Sequence, residues 1–403
     1  MTEPQALLIK IIANQLFGAE NCLDHPDGID WAAVMSEARQ QAVFPTVYSF
    51  AAEKKLSNDI PKEYSRLYYA SNAAVVRDLY NHSQLHHLLT SHNIPYVILK
   101  GQASARYYPD PALRSTGDID FLVKKEDLHA VDALLTAGGF QKSDDAQKHE
   151  FHWAYQAAGT ELELHWDLPG VPETGHDVIR AYSADMIEQG SVVTDPDSTF
   201  CVPSPFHHGL VLLLHTVSHL AGTGIGLRHL CDWLVFENSL SEEAFLELFA
   251  KPLQDIGLWT FAQVLTKIGV MYFGCGKRDW CKDAKDAVCT AFLEDILCGG
   301  NFGIKDATRR SQAKLIQNQA SFQVARGHLW RNGLISIHEK AKRDHPLLWK
   351  TRILLPVGWV LVAIAYLLRV LSGKRNNVFD RQIYADAMSR QTLYSELKLF
   401  ETH

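Results

Sequence analysis

Two aspartates separated by one apolar residue carry the strongest chemical signal in the chain. Asp118 and Asp120 are followed by Phe121, Leu122 and Val123, a pattern typical of a strand. Side chains alternate across a strand, so both carboxylates are expected on one face, about 6–7 Å apart along it. Paired carboxylates favour Mg²⁺ or Mn²⁺. The alternative is a solvated strand end that binds nothing.

A second alternating segment supplies a third carboxylate. Glu161, Glu163 and His165 fall on one face of a predicted strand, and Leu162 and Leu164 fall on the other. We predict that Glu163 completes a metal site beside the two aspartates, with His165 supporting it.

A glycine that follows an apolar segment precedes the two aspartates in the sequence. Gly101 and Lys100 follow residues 96–99, and Gly101 stands 17 positions before Asp118. Because glycine adopts backbone conformations closed to other residues, Gly101 allows a turn next to the carboxylates.

Together these motifs resemble the nucleotidyltransferase superfamily that includes DNA polymerase β, and more narrowly a bacterial family of uncharacterised nucleotidyltransferases. The resemblance covers roughly residues 5–345 and is carried by the following motifs: Lys100-Gly101, Arg114, Asp118-Ile119-Asp120, Glu163-Leu164-His165-Trp166, His215 and His219. It implies an α+β fold in which a polymerase-β-like core, a small mixed sheet with helices, is flanked by N- and C-terminal helical regions.

The resemblance also implies a function. Asp118, Asp120 and Glu163 would be catalytic and would hold Mg²⁺ (or Mn²⁺), while a nucleoside monophosphate moves from a nucleoside triphosphate to a hydroxyl-bearing small molecule or protein. The alternatives are a transferase that uses a sugar-type or nucleotide-sugar donor on a peptide or polysaccharide, and a non-catalytic nucleotide-binding module.

Four residues are expected to bind the nucleotide in this scheme. Gly101 admits the phosphates closely, and Lys100 or Arg114 neutralises their charge. Arg114 has an alternative role as a structural partner of Asp118. Gln102 stands where a serine usually follows the glycine, so Ser104 is predicted to supply the hydroxyl contact.

A helical region further along contains paired histidines. His215 and His219 are four residues apart and therefore share a helix face. They are predicted to support the nucleotide site; zinc ligation and a plain core position are the alternatives.

Bulk properties narrow the function classes. The chain has 403 residues and a net charge of −7, which gives no electrostatic footprint for long nucleic acid. Seven cysteines without Cys-x-x-Cys spacing are expected to be reduced thiols. The first ten residues lack the features of a signal peptide. These features predict a cytoplasmic protein.

The spacing of apolar residues along the chain predicts the domain organisation. Residues 1–92 form an N-terminal helical region, 93–200 the nucleotidyltransferase core, 201–345 a helical domain, and 346–403 an apolar and basic segment with a tail. The core elements are expected in this order: strand 96–100, helix 101–108, strand 118–123, helix 126–138, strands near 139–156, and strand 161–167.

The C-terminal part contains an uncharged run, Ile353–Leu368, with basic flanks. Residues 339–375 carry eight Lys or Arg and two acids. This run could be a buried helix, an interfacial anchor or a membrane span. Its 16 residues are fewer than a membrane span usually needs. The basic flanks suit an anionic membrane surface, so peripheral contact through residues 340–375 and association with the inner face of the membrane are also expected.

Overall fold

The computed structural model describes residues 1–20, 28–56, 60–143, 151–157, 159–172, 176–316, 337–338, 340–342, 355–371 and 381–402. The helices that precede the sheet are α1 Glu3–Phe17, α2 Trp31–Gln40, α3 Phe44–Glu53 and α4 Lys62–Ser91. Asp30 caps α2: its carboxylate accepts a hydrogen bond from the Ala33 N–H at 3.0 Å. No capping side chain precedes α3, so its start carries little sequence signal.

A mixed sheet follows these helices. Its elements are β1 Tyr96–Ile98, α5 Gln102–Ala105, β2 Ile119–Val123, α6 Leu128–Ala137, β3 Gln141–Lys142, β4 His152–Ala157 and β5 Thr160–His165. The strand order is β1-β2-β5-β4-β3. Strands β2 and β5 are parallel, and the other neighbours are antiparallel.

The mixed sheet and its flanking helices confirm the predicted α+β fold. Several predicted bounds differ from the structure: β1 ends at Ile98, the helix at 101–108 is the single turn α5, β2 begins after Asp118, α6 is shorter than 126–138, and β5 ends at His165. Residues 144–150, inside the region predicted to hold strands, lie outside the described residues.

Helices dominate the chain after the sheet. The elements are α7 His176–Ser183, the unpredicted hairpin β6 Ser191–Asp195 and β7 Ser198–Val202, α8 Pro205–Ala221, α9 Leu227–Asn238, α10 Glu242–Ile256, α11 Trp259–Ile268, α12 Asp286–Gly299, α13 Arg309–Ile316, α14 Leu355–Leu371 and α15 Arg381–Glu396.

Apolar side chains collect in two clusters. One lies on the sheet and includes Ile98, Phe121 and Leu164 together with Leu85 of α4. The other joins α1–α3 to α8–α12 and reaches the residues after α15. Full burial of such a side chain stabilises the fold by about 1.5–3 kcal/mol, so the two clusters fix the sheet against the helices that surround it.

The apolar helix α14 is mostly exposed where its side chains are described. Its exposed large side chains are Val357, Trp359, Val360, Leu361, Ile364 and Leu368. The interpretation of α14 as a buried helix was therefore wrong for these residues. Among the described residues, no helix combines the length and apolar character needed to cross a bilayer. Residues 353–354, at the start of the predicted run, lie outside the described part.

Helix α15 packs against α12 and α13. Tyr394 is buried and donates a hydrogen bond to Asp295 at 3.0 Å. Arg390 reaches the same carboxylate at 3.3 Å. The tail predicted after the apolar segment therefore covers the helical domain over these residues.

Candidate active site

The parallel pairing of β2 and β5 brings the three predicted carboxylates together. Asp120 lies directly opposite Glu163 in the register, and Asp118 immediately precedes β2. One carboxylate oxygen from each of Asp118, Asp120 and Glu163 lies within 4.8 Å of the others. This spacing and the all-oxygen donor set fit a hard divalent cation.

His165 joins two of these carboxylates. Its Nε2 lies 3.1 Å from Oδ1 of Asp120 and 3.2 Å from Oε2 of Glu163. Burial opposes protonation of His165, but the hydrogen bonds to both carboxylates outweigh it and raise its pKa. His165 thus fixes the two carboxylates relative to each other.

The two carboxylates differ in their electrostatics. Burial disfavours the ionised form of Asp120, yet the Lys100 ammonium and His165 hold its pKa well below the ordinary range. Burial raises the pKa of Glu163, and the charges of Asp120 and Asp118 raise it further. Glu163 is therefore the member of the pair that accepts a proton more readily.

Lys100 connects the carboxylates to the helical domain. Its Nζ lies 2.9 Å from Oδ1 of Asp120 and 2.8 Å from Nε2 of His215 on α8. Gly101 follows with φ +62°, a conformation that favours glycine. The predicted turn is present, and it directs Lys100 towards the carboxylates.

Arg114 has a different partner from the one predicted. It forms a bidentate ion pair with Asp232 of α9, with Nε 2.8 Å and Nη2 2.9 Å from the two carboxylate oxygens. Tyr108 donates a third hydrogen bond to Asp232 at 2.8 Å. The predicted structural pair with Asp118 was therefore wrong, and most of the Arg114 fork is occupied within the fold.

His215 and His219 share a face of α8, as predicted from their spacing. Their Nε2 atoms are 2.8 Å apart, so one imidazole donates to the other. His229 of α9 completes a group of three whose ring nitrogens lie within 4.8 Å. Burial lowers the pKa of His219 to about 3, and the charges of Lys100 and Arg228 add to this effect. The group is therefore neutral at pH 7.

A cleft of about 430 Å³, including its open mouth, joins these features. It is lined by Lys100, Gly101, Arg114, Gly117, Asp118, Asp120, Leu212, His215, Thr216, Arg228, His229 and Asp232. Ser104 is not among them; it is buried on α5, and its hydroxyl has no hydrogen-bond partner within the described part of the chain. Its role in nucleotide binding stays a prediction.

Sequence reasoning gave no role to several residues of the cleft. Arg228 and Asp232 stand four apart in a helix that is largely apolar from Leu230 to Phe236, which is the signal that could have marked them. Phe302 is 43% exposed, and its ring lies 4.6 Å from that of His219. The loop that carries Phe302 approaches the start of α9 so closely that a Cβ at Gly226 would lie 2.8 Å from Asn301.

A family model agrees with the sequence motifs. A family model described as an uncharacterised nucleotidyltransferase matches residues 27–274, well over half of the chain but less than the predicted 5–345. Among solved structures, an antigenic nucleotidyltransferase-like protein from Paracoccidioides brasiliensis aligns with a TM-score of 0.32 and 16% identity, over 49% of this chain and 92% of that chain. No curated protein matches the chain.

Proposed function

The chain belongs to the uncharacterised nucleotidyltransferase family, and on that premise we propose that it moves a nucleoside monophosphate from a nucleoside triphosphate to a hydroxyl group of a small molecule or protein. One observation carries the proposal. The strand register sets Asp120 opposite Glu163, so that these carboxylates and Asp118 lie together, and the two aspartates line the cleft with Lys100 and Gly101.

The metal fits the carboxylates better than it fits the histidines. His215, His219 and His229 could also hold an ion by geometry, but this group contains no carboxylate to offset the charge of a cation, and Arg228 opposes positive charge there. The oxygens of Asp118, Asp120 and Glu163 suit Mg²⁺ or Mn²⁺. When bound, such a cation offsets charge on the triphosphate and holds the reacting oxygens in line.

The residues of the chain have separate tasks in this scheme. Glu163 accepts the proton of the acceptor hydroxyl, whose oxygen forms a bond to the α-phosphorus as the bond to the β-phosphate breaks. Pyrophosphate leaves. His165 keeps Glu163 and Asp120 in register through its Nε2. Lys100 neutralises negative charge, and Gly101 lets the phosphates approach the backbone.

We also propose that the protein is cytoplasmic and contacts the inner face of the membrane through residues 340–375. Support comes from the exposed apolar side chains of α14, Trp359 and Ile364 among them. The basic flanks of α14 carry a net charge of +6 over residues 339–375, which suits an anionic lipid surface.

Calorimetric titration of ATP, CTP, GTP and UTP, with and without Mg²⁺, tests the transfer site. We expect Mg²⁺-dependent binding of at least one triphosphate, which disappears when Asp118→Asn and Asp120→Asn are combined. Asp283→Asn is the matched control, because Asp283 is exposed and does not line the cleft.

Two outcomes would change the assignment. If the double variant bound the triphosphate with unchanged affinity, Asp118 and Asp120 would not belong to the nucleotide site. A folded wild-type protein that binds no triphosphate would favour the sugar-type donor. If binding is found, release of pyrophosphate on addition of candidate acceptors then distinguishes transfer from binding alone.

A further inference from the structure

Arg228 is a cation in the cleft that forms no ion pair within the described residues, although the charges of Asp232 and Asp118 act on it from a distance. It lies in the first turn of α9 and lines the same cleft as Asp118 and Asp120. Its Nη1 is 3.7 Å from the position that a Cβ would take at Gly117, the residue before Asp118. The guanidinium therefore reaches the neighbourhood of the carboxylates.

The described part of the structure gives Arg228 neither an ion pair nor a side-chain hydrogen bond. Its Nε is enclosed without an acceptor. Asp232, the acid four residues along the same helix, is already bound in bidentate fashion by Arg114. Burial lowers the pKa of Arg228, and the nearby charge of Arg114 adds to the effect.

A partly buried cation without an ion pair costs stability, so its position in the cleft favours an anion from outside the fold. A guanidinium fork matches two phosphate oxygens. Of the carboxylates that line the same cleft, Asp120 is paired with Lys100 and Asp232 with Arg114. The ring of Phe302 lies 5.8 Å from the guanidinium and limits its movement.

The start of α9 itself is not the anion site. Gln41 accepts hydrogen bonds from the first N–H groups of this helix, through its side chain at Leu227 (3.2 Å) and its backbone at Arg228 (3.3 Å). The side chain of Arg228, rather than the helix terminus, is therefore the group available to a ligand.

We propose that Arg228 binds the β- and γ-phosphates of the donor, the part that leaves as pyrophosphate, and so takes the role that the sequence suggested for Arg114. This assignment rests on the proposed nucleotidyl transfer. It predicts that Arg228 distinguishes triphosphates from monophosphates, since a monophosphate has no group to reach it.

The test compares the affinities of a nucleoside triphosphate, the matching monophosphate and inorganic pyrophosphate, each with Mg²⁺, by calorimetry on the full chain. Arg228→Gln should weaken triphosphate and pyrophosphate binding about 10- to 100-fold, as expected for lost hydrogen bonds to a charged ligand. Monophosphate affinity should stay within about twofold, and Arg228→Lys should recover part of the loss.

Arg106→Gln is the matched control, because Arg106 is exposed and does not line the cleft. Thermal melting should show that Arg228→Gln is at least as stable as the wild type, since no ion pair is lost. Equal weakening of monophosphate and triphosphate, or no weakening of either, would overturn the assignment of Arg228.

The two proposals fail in different ways. If the Asp118→Asn, Asp120→Asn variant loses metal-dependent binding while Arg228→Gln keeps full triphosphate affinity, the transfer site stands and the Arg228 assignment falls. If wild-type protein binds pyrophosphate through Arg228 but no nucleotide, the anion site stands and nucleotidyl transfer falls. Binding of neither ligand by the folded wild type refutes both.

Discussion

The buried ion pair between Arg114 and Asp232 shows how one residue can serve the fold beside an active site. Both side chains are less than a tenth exposed, and Tyr108 satisfies a further acceptor position on the carboxylate. Such a pair contributes little net stability compared with apolar packing, but the loss of one partner leaves a charge buried alone. Arg114 is thus held by its ion pair with Asp232, whereas no ion pair holds Arg228 within the described residues.

We therefore expect Arg114→Met to destabilise the protein by about 3–5 kcal/mol, because Asp232 would keep a buried charge without a partner. Urea unfolding measures this loss. Asp232→Asn in the same background should recover part of it, which a double-mutant cycle would show as coupling.

Lys251→Met provides the control for this cycle, because Lys251 pairs with Asp255 at an exposed site. It should leave the free energy of unfolding unchanged within error. Additive effects of the Arg114 and Asp232 substitutions would contradict the coupling.

At the scale of elements, strands β2 and β5 and helices α8 and α9 form the site. The sequence predicted which side chains share a face of each element, but it did not predict which elements pack together. Strict alternation correctly grouped Asp118 with Asp120, and Glu163 with His165. It could not show that β2 and β5 pair in parallel, because α6 and the strands β3 and β4 intervene. Register depends on the packing of both faces, which a single segment does not contain.

The same limit explains the missed partners. Arg114 and Asp232 are separated by 118 positions, so no local pattern links them. The spacing of His215 and His219 did predict their contact, since four residues bring side chains together on any helix. Local periodicity was sufficient for neighbours on one element and insufficient for contacts between elements.

His208, about two turns before His215 on α8, gives this element a pH-dependent stability. It is buried between the rings of Tyr107 and Phe236, and neither ring nitrogen has a hydrogen-bond partner within the described residues. Burial lowers its pKa from 6.5 to about 3. Below pH 6.5 the unfolded chain therefore takes up a proton that the folded protein does not.

The sign follows from linkage: His208 contributes full stability above pH 6.5, and this contribution is lost as the pH falls from 6.5 towards about 3. His208→Phe should therefore reduce the acid-side slope of the unfolding free energy by about 1.4 kcal/mol per pH unit. Chemical denaturation at a series of pH values measures the slope.

His87→Phe is the control, since His87 is exposed on α4. The unfolding free energy of this variant should change with pH by the same slope as that of the wild type. An unchanged slope in His208→Phe would show that His208 is protonated in the folded protein.

At the scale of the whole molecule, α14 differs from the other helices because its described apolar side chains are largely exposed. Trp359 is 41% exposed and Ile364 49%, while α15, which follows it, is packed on the helical domain. A deletion from residue 353 onwards would remove both helices and uncover the core. Point substitutions on α14 are therefore the cleaner test of membrane contact.

We expect Val360→Ser combined with Ile364→Ser to reduce sedimentation with anionic phospholipid vesicles at low salt while leaving the melting temperature unchanged. The loss should be specific to α14, so Val76→Ser, at a site that is 68% exposed on α4, should sediment like the wild type. Failure of the wild type to sediment with anionic vesicles would contradict the membrane proposal.

One core joins α1 to residues beyond α15, and this arrangement has a kinetic consequence. Leu8 and Leu399 belong to the same cluster, and Gln5 donates a hydrogen bond to the carbonyl of Leu297, 292 positions away. Contacts of such sequence separation form only after a large loss of chain entropy, so they form late. We expect refolding to be slow and to pass through intermediates in which the apolar face of α1 is uncovered and prone to aggregate.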